Sequence, residues 1–465
     1  MERTTMRNYV WLSLVVVTLG CGRSSDTTPV AGVPLAINGP SRVDAAKPLT
    51  TPDPAAGVTN TVVEQLFKKA QQAARAGQLG VSVEAISQAI GLEPGDSRLF
   101  RLRADVYSRM GEYANARADF ALAVQTEPRS AELRNIRGYF LMSRGLTTEA
   151  LADFDQALQL NPEFAAAWNN RGLVHLANQD YEAAATNFDK ATTIDGVYAD
   201  ALNNRGFARF KMGQLSQALS DLKRTVELKP NYTTAWNNCG LVYMQQKEYA
   251  LAVDSFSQAI RLAPTDMRWL GHRREALKRL GRYAEAASDA EKIQWLNTLN
   301  QMTQHALSQP NVSSAWIARA GHLMNGSEFD AAVKDYSRAL KLNPADHEAL
   351  CGRALAWLNL GQVGKSIADC DESLVAEPTV AAFSIRGDAW FAKANYDQAI
   401  EDFEAAHRFD DTVAAAYRNR AKARRADGHD EMADADLKAA KSISAALKGE
   451  SSPTKPPSAQ VPFPN

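Results

Sequence analysis

The sequence predicts an all-α protein built as a right-handed solenoid of about eleven stacked helix pairs, interrupted once near residues 301–312. Three recurrences carry this expectation. Pro94, Pro128, Pro162, Pro230, Pro264, Pro310, Pro344 and Pro378 fall on one ladder, most steps being 34 residues or twice 34, and Gly196 holds the missing rung. Between rungs a bulky residue is followed by a small one and then by a tyrosine, an alanine, an aromatic and an alanine. The best copies read Trp168, Gly172, Tyr181, Ala184, Phe188, Ala191 and Trp236, Gly240, Tyr249, Ala252, Phe256, Ala259. An arginine and an aspartate recur in the same phase.

The chain opens on a targeting pattern. Arg3 and Arg7 precede an apolar run, Tyr9 to Leu19, that is too short to cross about 30 Å of hydrocarbon. Residues 1–20 therefore read as a signal peptide. The run ends Thr18-Leu19-Gly20-Cys21, which resembles a bacterial lipobox although Leu usually stands where Thr18 is. The resemblance implies lipidation at Cys21 and an exported protein anchored to the membrane of the cell envelope, on its periplasmic side. Ordinary cleavage near Gly20, leaving a soluble periplasmic protein, or an uncleaved anchor are the alternatives. Residues 21–62 are rich in Thr, Pro, Ala, Gly and Ser, cannot bury enough apolar surface to offset ordering, and read as a disordered tether.

Eleven copies of the repeat start at Val63, Ser97, Ala131, Ala165, Ala199, Thr233, Met267, Ser313, His347, Val380 and Ala414. Bulky residues of a helix A pack on small and aromatic residues of a helix B, with Ala or Gly where backbones come close. A single pair cannot cover its own apolar stripe, so copies must stack. These residues resemble the tetratricopeptide repeat family over most of the chain. At the seventh place of a copy stand Arg103, Arg137, Arg171, Arg205, Arg273, Arg319, Arg353, Arg386 and Arg420; at the twenty-third stand Asp119, Asp153, Asp221, Asp289, Asp335, Asp369, Asp402 and Asp436. They read as a ladder of bidentate pairs. The sixth copy loses both partners together, as Cys239 and Ser255, which favours pairing within a repeat.

The seventh copy breaks the pattern. Ile293, Leu296, Leu299, Met302 and Ala306 continue at helical spacing, which predicts one long helix to about Ser308, stopped by Pro310. A block of seven repeats over 63–312 and a block of four over 313–447 follow, then a disordered Pro-rich tail over 448–465.

Composition and motifs exclude several functions. With 52 basic against 53 acidic residues, no global field draws nucleic acid. No phosphate-cradling glycine loop, nucleophile elbow or HExxH occurs. His347 with Cys351 is the nearest metal-like spacing and lacks further ligands. Cys239, Cys351 and Cys370 read as small buried thiols. The sequence therefore points to no enzyme, no metal and no small-molecule cofactor.

What remains is a surface. The family resemblance implies that A helices line a concave groove, with the fifth, ninth and twelfth places facing it. In copies three to six the fifth place is Asn135, Asn169, Asn203 and Asn237. The ninth is Tyr139, Leu173, Phe207 and Leu241, and the twelfth Met142, Leu176, Phe210 and Met244. The sixth place adds Asn170, Asn204 and Asn238. This strip looks like the asparagine ladder of O-linked N-acetylglucosamine transferase superhelices. An amide both donates and accepts, so such a row is expected to hold an extended, weakly charged polypeptide with little regard to its side chains. The expected function is a non-catalytic scaffold or adaptor of the bacterial cell envelope that captures one or more protein partners, for assembly of a secretion, pilus or polysaccharide-export system. A carbohydrate-binding or carbohydrate-modifying protein is the alternative.

Overall fold

A computed structural model describes residues 54–448, with side chains from Thr61 onward. The expected signal peptide, the Cys21 lipid site, the tether as far as residue 53 and the tail beyond Lys448 lie outside the described residues. The described chain is helical and folds as antiparallel pairs, the solenoid architecture that the period predicts. The A helices are α1 (Pro54–Arg75), α3 (Ser97–Met110), α5 (Ala131–Ser143), α7 (Ala165–Ala177), α9 (Ala199–Lys211), α11 (Thr233–Gln245), α13 (Met267–Arg279), α15 (Ser313–Asn325), α17 (His347–Asn359), α19 (Val380–Ala392) and α21 (Asp411–Ala426). The B helices are α2 (Leu79–Leu92), α4 (Tyr113–Thr126), α6 (Thr147–Leu160), α8 (Tyr181–Ile194), α10 (Leu215–Leu228), α12 (Tyr249–Leu262), α14 (Tyr283–Ser308), α16 (Phe329–Leu342), α18 (Val363–Ala376), α20 (Tyr396–Ala405) and α22 (Asp430–Leu447). The first helix begins at Pro54, upstream of the Val63 at which the repeat pattern starts.

Local chemistry sets the ends of these helices. Ser130 accepts a hydrogen bond from the Leu133 amide, and Asp346 from the Ala349 amide, so each cap satisfies an otherwise orphaned donor. Gly111 closes α3 at φ +82°, where a side chain would be strained. The rung prolines follow the B helices and are gripped from the next A helix. The indole Nε1 of Trp168 donates to Pro162 O at 2.7 Å, Trp236 to Pro230 O at 2.8 Å and Trp316 to Pro310 O at 3.0 Å.

Within a pair the helices meet at the eighth and twenty-fourth places. A Cβ added at Gly138 would lie 2.7 Å from the Phe154 ring, and one at Gly172 2.6 Å from Phe188. Phe154, Phe188, Phe256 and Phe403 are fully buried there. The glycine is needed because the ring occupies the space of a side chain.

The structure answers how the charged ladder pairs. Arg137 donates from Nε to Asp153 Oδ2 at 2.7 Å and from Nη2 to Asp153 Oδ1 at 2.6 Å, and Arg103, Arg205, Arg273, Arg353, Arg386 and Arg420 repeat that fork within their own copies. The remaining Nη1 often reaches back one copy: Arg205 to Asp189 at 2.8 Å, Arg273 to Ser257 at 3.1 Å and Arg353 to Ser337 at 3.3 Å. Pairing is thus within a repeat, and the same arginine also ties neighbours. In the fourth copy Asn187 replaces the aspartate, and Arg171 keeps a single 2.7 Å bond to it. The sixth copy, without arginine, buries Cys239, while Ser255 donates to Leu251 O.

The chain divides into two compact units between Asp289 and Ala290, inside α14. The long helix to Ser308 is the one the apolar spacing predicts. In the second unit the later part of α14 packs on the next pair. Trp295 stacks on His322 with centroids 5.2 Å apart, and a Cβ at Gly326 would overlap the Trp295 ring. Ala306 is buried with Trp316 and Ile317. These contacts draw the unit boundary upstream of the connection after Ser308, where the sequence pattern breaks.

Removing a carboxylate from a buried fork leaves an uncompensated guanidinium, so Asp153→Ala should destabilise the α5–α6 pair by about 3 kcal/mol. Asp153→Asn, which mimics the Arg171–Asn187 rung, should cost about half as much. Urea unfolding of the full chain, with hydrogen exchange localising the loss to α5 and α6, measures both; equal costs would contradict the fork.

Candidate functional site: the A-helix face of the first unit

Successive A helices touch one another directly, α5 with α7, α7 with α9, α9 with α11 and α11 with α13. Successive B helices approach less closely, so the first unit curves with its A helices inside. That inner face carries the residues expected to form the groove.

All seven asparagines of the strip are buried, none exposing more than 9%, and Asn203 exposes 0%. Their amides are turned toward one another. The Nδ2 of Asn170 donates to Asn135 Oδ1, that of Asn204 to Asn169 Oδ1, and that of Asn238 to Asn203 Oδ1, each at 3.0 Å. Within a helix, Asn169 Nδ2 donates to Asn170 Oδ1 at 3.4 Å and Asn203 Nδ2 to Asn204 Oδ1 at 3.3 Å. The rule is simple: the sixth place of one copy donates to the fifth place of the copy before. The expectation of an open amide strip facing a ligand is therefore corrected. A buried amide needs a partner, and the neighbouring helix supplies it at lower cost than a ligand that must first be bound.

The seventh copy continues the relay with a residue that sequence reasoning missed. His272 occupies the sixth place, and its Nδ1 lies 2.7 Å from Asn237 Oδ1. An amide oxygen only accepts, so Nδ1 carries the proton and donates. Its register, one period after Asn238, was the available signal. The ring packs on Phe256 and Trp269, with centroids 5.5 and 6.2 Å away. Burial, followed by the nearby Arg268 charge, holds the imidazole pKa below its ordinary value, and Asp266 opposes that shift.

The apolar places behave differently. Leu176 and Phe207 are buried in the cluster around Phe188. Tyr139, Met142, Leu173, Phe210, Leu241 and Met244 are half-buried, each packed against a core cluster while keeping some surface. Phe207 and Phe210 lie 6.2 Å apart, and Lys211 Nζ sits 5.4 Å from the first ring and 5.9 Å from the second. The face is thus an oily band over four copies with a lysine at its edge.

Chemistry beyond binding is sparse among the described residues. No group of three or more His, Cys, Asp or Glu side chains is placed to hold a metal ion, and no helix is long and apolar enough to cross a membrane. His347 pairs with Glu377 at 3.2 Å, and the Cys351 sulfur lies 3.2 Å from Ser373 Oγ. Cys239, Cys351 and Cys370 are free and buried, and burial pushes the Cys239 thiol up to about 12.

Comparison with known proteins agrees with the period. Tetratricopeptide repeat models match residues 67–132, 101–162, 137–199 and 317–381, and another matches 233–266. A TPR repeat model matches 208–247. Hsp70-Hsp90 organizing protein 3 of Arabidopsis thaliana is 25% identical over 124 residues, covering 26% of this chain and 21% of that protein. Small glutamine-rich tetratricopeptide repeat-containing protein 2 of Mycosarcoma maydis is 28% identical over 88 residues, covering 19% of this chain and 25% of that protein. The chain thus spans about a fifth of the length of the first curated relatives it matches. Among solved structures, YrrB, described as a TPR protein with an unusual peptide-binding site, is 22% identical and covers 41% of this chain and 99% of that one, at a TM-score of 0.35. The P58(IPK) TPR domain is 21% identical and covers 84% and 99%, at a TM-score of 0.21.

The partly buried position of His272 makes stability depend on pH. Its folded pKa lies below the unfolded value of about 6.5, so its contribution to stability is complete above that value and is lost as pH falls through the folded pKa. His272→Asn keeps a donor at the sixth place without titrating. Urea midpoints measured from about pH 7 down to about pH 5 should fall more steeply for the native chain than for this variant. Parallel curves would refute the assignment.

Proposed function

Because the chain belongs to the tetratricopeptide repeat family, we propose that it is a non-catalytic scaffold whose first unit binds an extended segment of a partner protein on its A-helix face. The observation that carries this reading is the half-buried apolar band from Tyr139 and Met142 through Leu173 and Phe210 to Leu241 and Met244. These side chains run along one face of four touching helices, and they keep oily surface that a partner would cover. Relatives named as organizing proteins support an adaptor role. Holding a carbohydrate on the strip would need amides free to meet its hydroxyls, and the relay already engages the amides from Asn135 to Asn238.

The double variant Phe210→Ala/Met244→Ala removes the large side chains at the α9 and α11 end of the band and leaves the relay in place. Partner recovery from solubilised cells by the full chain should drop by about tenfold or more, with the thermal midpoint lowered only modestly. Undiminished recovery of the same stoichiometric partner would place binding elsewhere.

The scaffold also works at the cell envelope, tethered through Cys21, in the assembly of an export or secretion system. The support is the run from Tyr9 to Leu19 followed by Thr18-Leu19-Gly20-Cys21. Metabolic labelling with a palmitate analogue should mark the native protein and be lost in Cys21→Ala. Label that persists in the variant, or is absent from both, would remove the tether.

A further inference from the structure

Three observations on the same face bear on what kind of segment it accepts. First, the amides best suited to gripping a peptide backbone are engaged with one another, and the residues carrying them expose at most 9% of their surface. Asn203, at the middle of the strip, exposes 0% and cannot touch a ligand at all. Second, the surface that remains at Phe210, Leu241 and Met244 is apolar and can recognise only side chains. Third, Lys211 is half-exposed beside Phe207 and Phe210 and has no ion pair among the described residues. The nearest buried acid on its helix, Asp200, is engaged by Lys229 at 3.3 Å.

We infer that the first unit selects its partner by side chains rather than by backbone: the occupant is an extended protein segment that carries apolar side chains next to a carboxylate. The apolar groups cover Phe210, Leu241 and Met244, and the carboxylate meets the Lys211 ammonium. An ion pair at the rim of an oily surface sets orientation and choice of partner more than total affinity. This rests on the reading of the face as a binding surface. It departs from the sequence expectation of a strip indifferent to side chains, because the relay removes the groups such a strip would use.

The test uses the full chain and short synthetic peptides read by fluorescence anisotropy. A parent peptide alternates Leu or Phe with Ser around one Asp. One series replaces single backbone amides by esters, which deletes one N–H donor at a time. A second replaces the apolar side chains by Ser, and a third replaces the Asp by Lys. Ester substitution should shift Kd by less than about twofold, whereas loss of the apolar side chains, or reversal of the charge, should weaken binding about tenfold. Lys211→Glu should invert the Asp-over-Lys preference, and Lys211→Met should abolish it. Esters that cost as much as the serine replacements, or a charge preference unchanged in Lys211→Glu, would overturn the inference while leaving the surface itself a binding site. Failure of every peptide to bind, or binding insensitive to Phe210→Ala/Met244→Ala, would remove the binding surface and the selectivity together.

Discussion

The contact between a helix backbone lacking a side chain and an aromatic ring sets the geometry on which everything else rests. At Gly138 and Gly172 the ring of the facing phenylalanine fills the space of a Cβ, so the ring of helix B lies directly against the backbone of helix A. That closeness buries the ring fully, and a fully buried ring is where most of the apolar stabilisation of a small helix pair resides. The pair then has one remaining oily stripe, which only another pair can cover. Repetition follows from this shortage of surface, and the A helices, brought side by side, acquire polar contacts across their flanks.

Those flank contacts divide the polar residues into two systems. The arginine forks lie between the A and B helices of one copy and reach the preceding copy through the third nitrogen. The asparagine relay lies between A helices alone. Both replace water for groups buried at helix interfaces, where an unpaired amide or charge would cost several kcal/mol. The half-buried positions that neither system uses on this face are apolar.

Much of this was legible in the sequence. A period close to 34 residues, broken once after the seventh copy, fixes the starts of the A helices, and α3, α5, α7, α9, α11, α13, α15, α17 and α19 begin where the pattern places them. The arginine and aspartate could be matched because a carboxylate and a guanidinium recognise each other wherever the chain brings them, and the joint loss at Cys239 and Ser255 showed which were partners. The asparagines could not be read that way. An amide pairs equally well with a peptide, a sugar or another amide, so its place in the repeat is fixed by sequence and its partner is fixed only by the spacing of neighbouring helices. His272 was hidden for the same reason: a histidine substituting for an asparagine keeps the donor and loses the pattern. At α14 the apolar spacing foretold the helix, but not that Trp295 would lie against His322 and give the later turns to the following pair.

The one-way sense of the relay has a consequence for how such a chain can change length. Copies four and five, with Asn169-Asn170 and Asn203-Asn204, each carry an acceptor for the copy after and a donor for the copy before, as does copy six with Asn237-Asn238. Copy three offers only the acceptor, with Ile136 beside Asn135, and copy seven only the donor, with Gly271 beside His272. The tract therefore has a beginning, an end and an interchangeable middle. Duplicating or excising an interior copy leaves every joint of the relay complete, so the asparagine tract can be lengthened or shortened by gene-level copying without breaking its chain of amides.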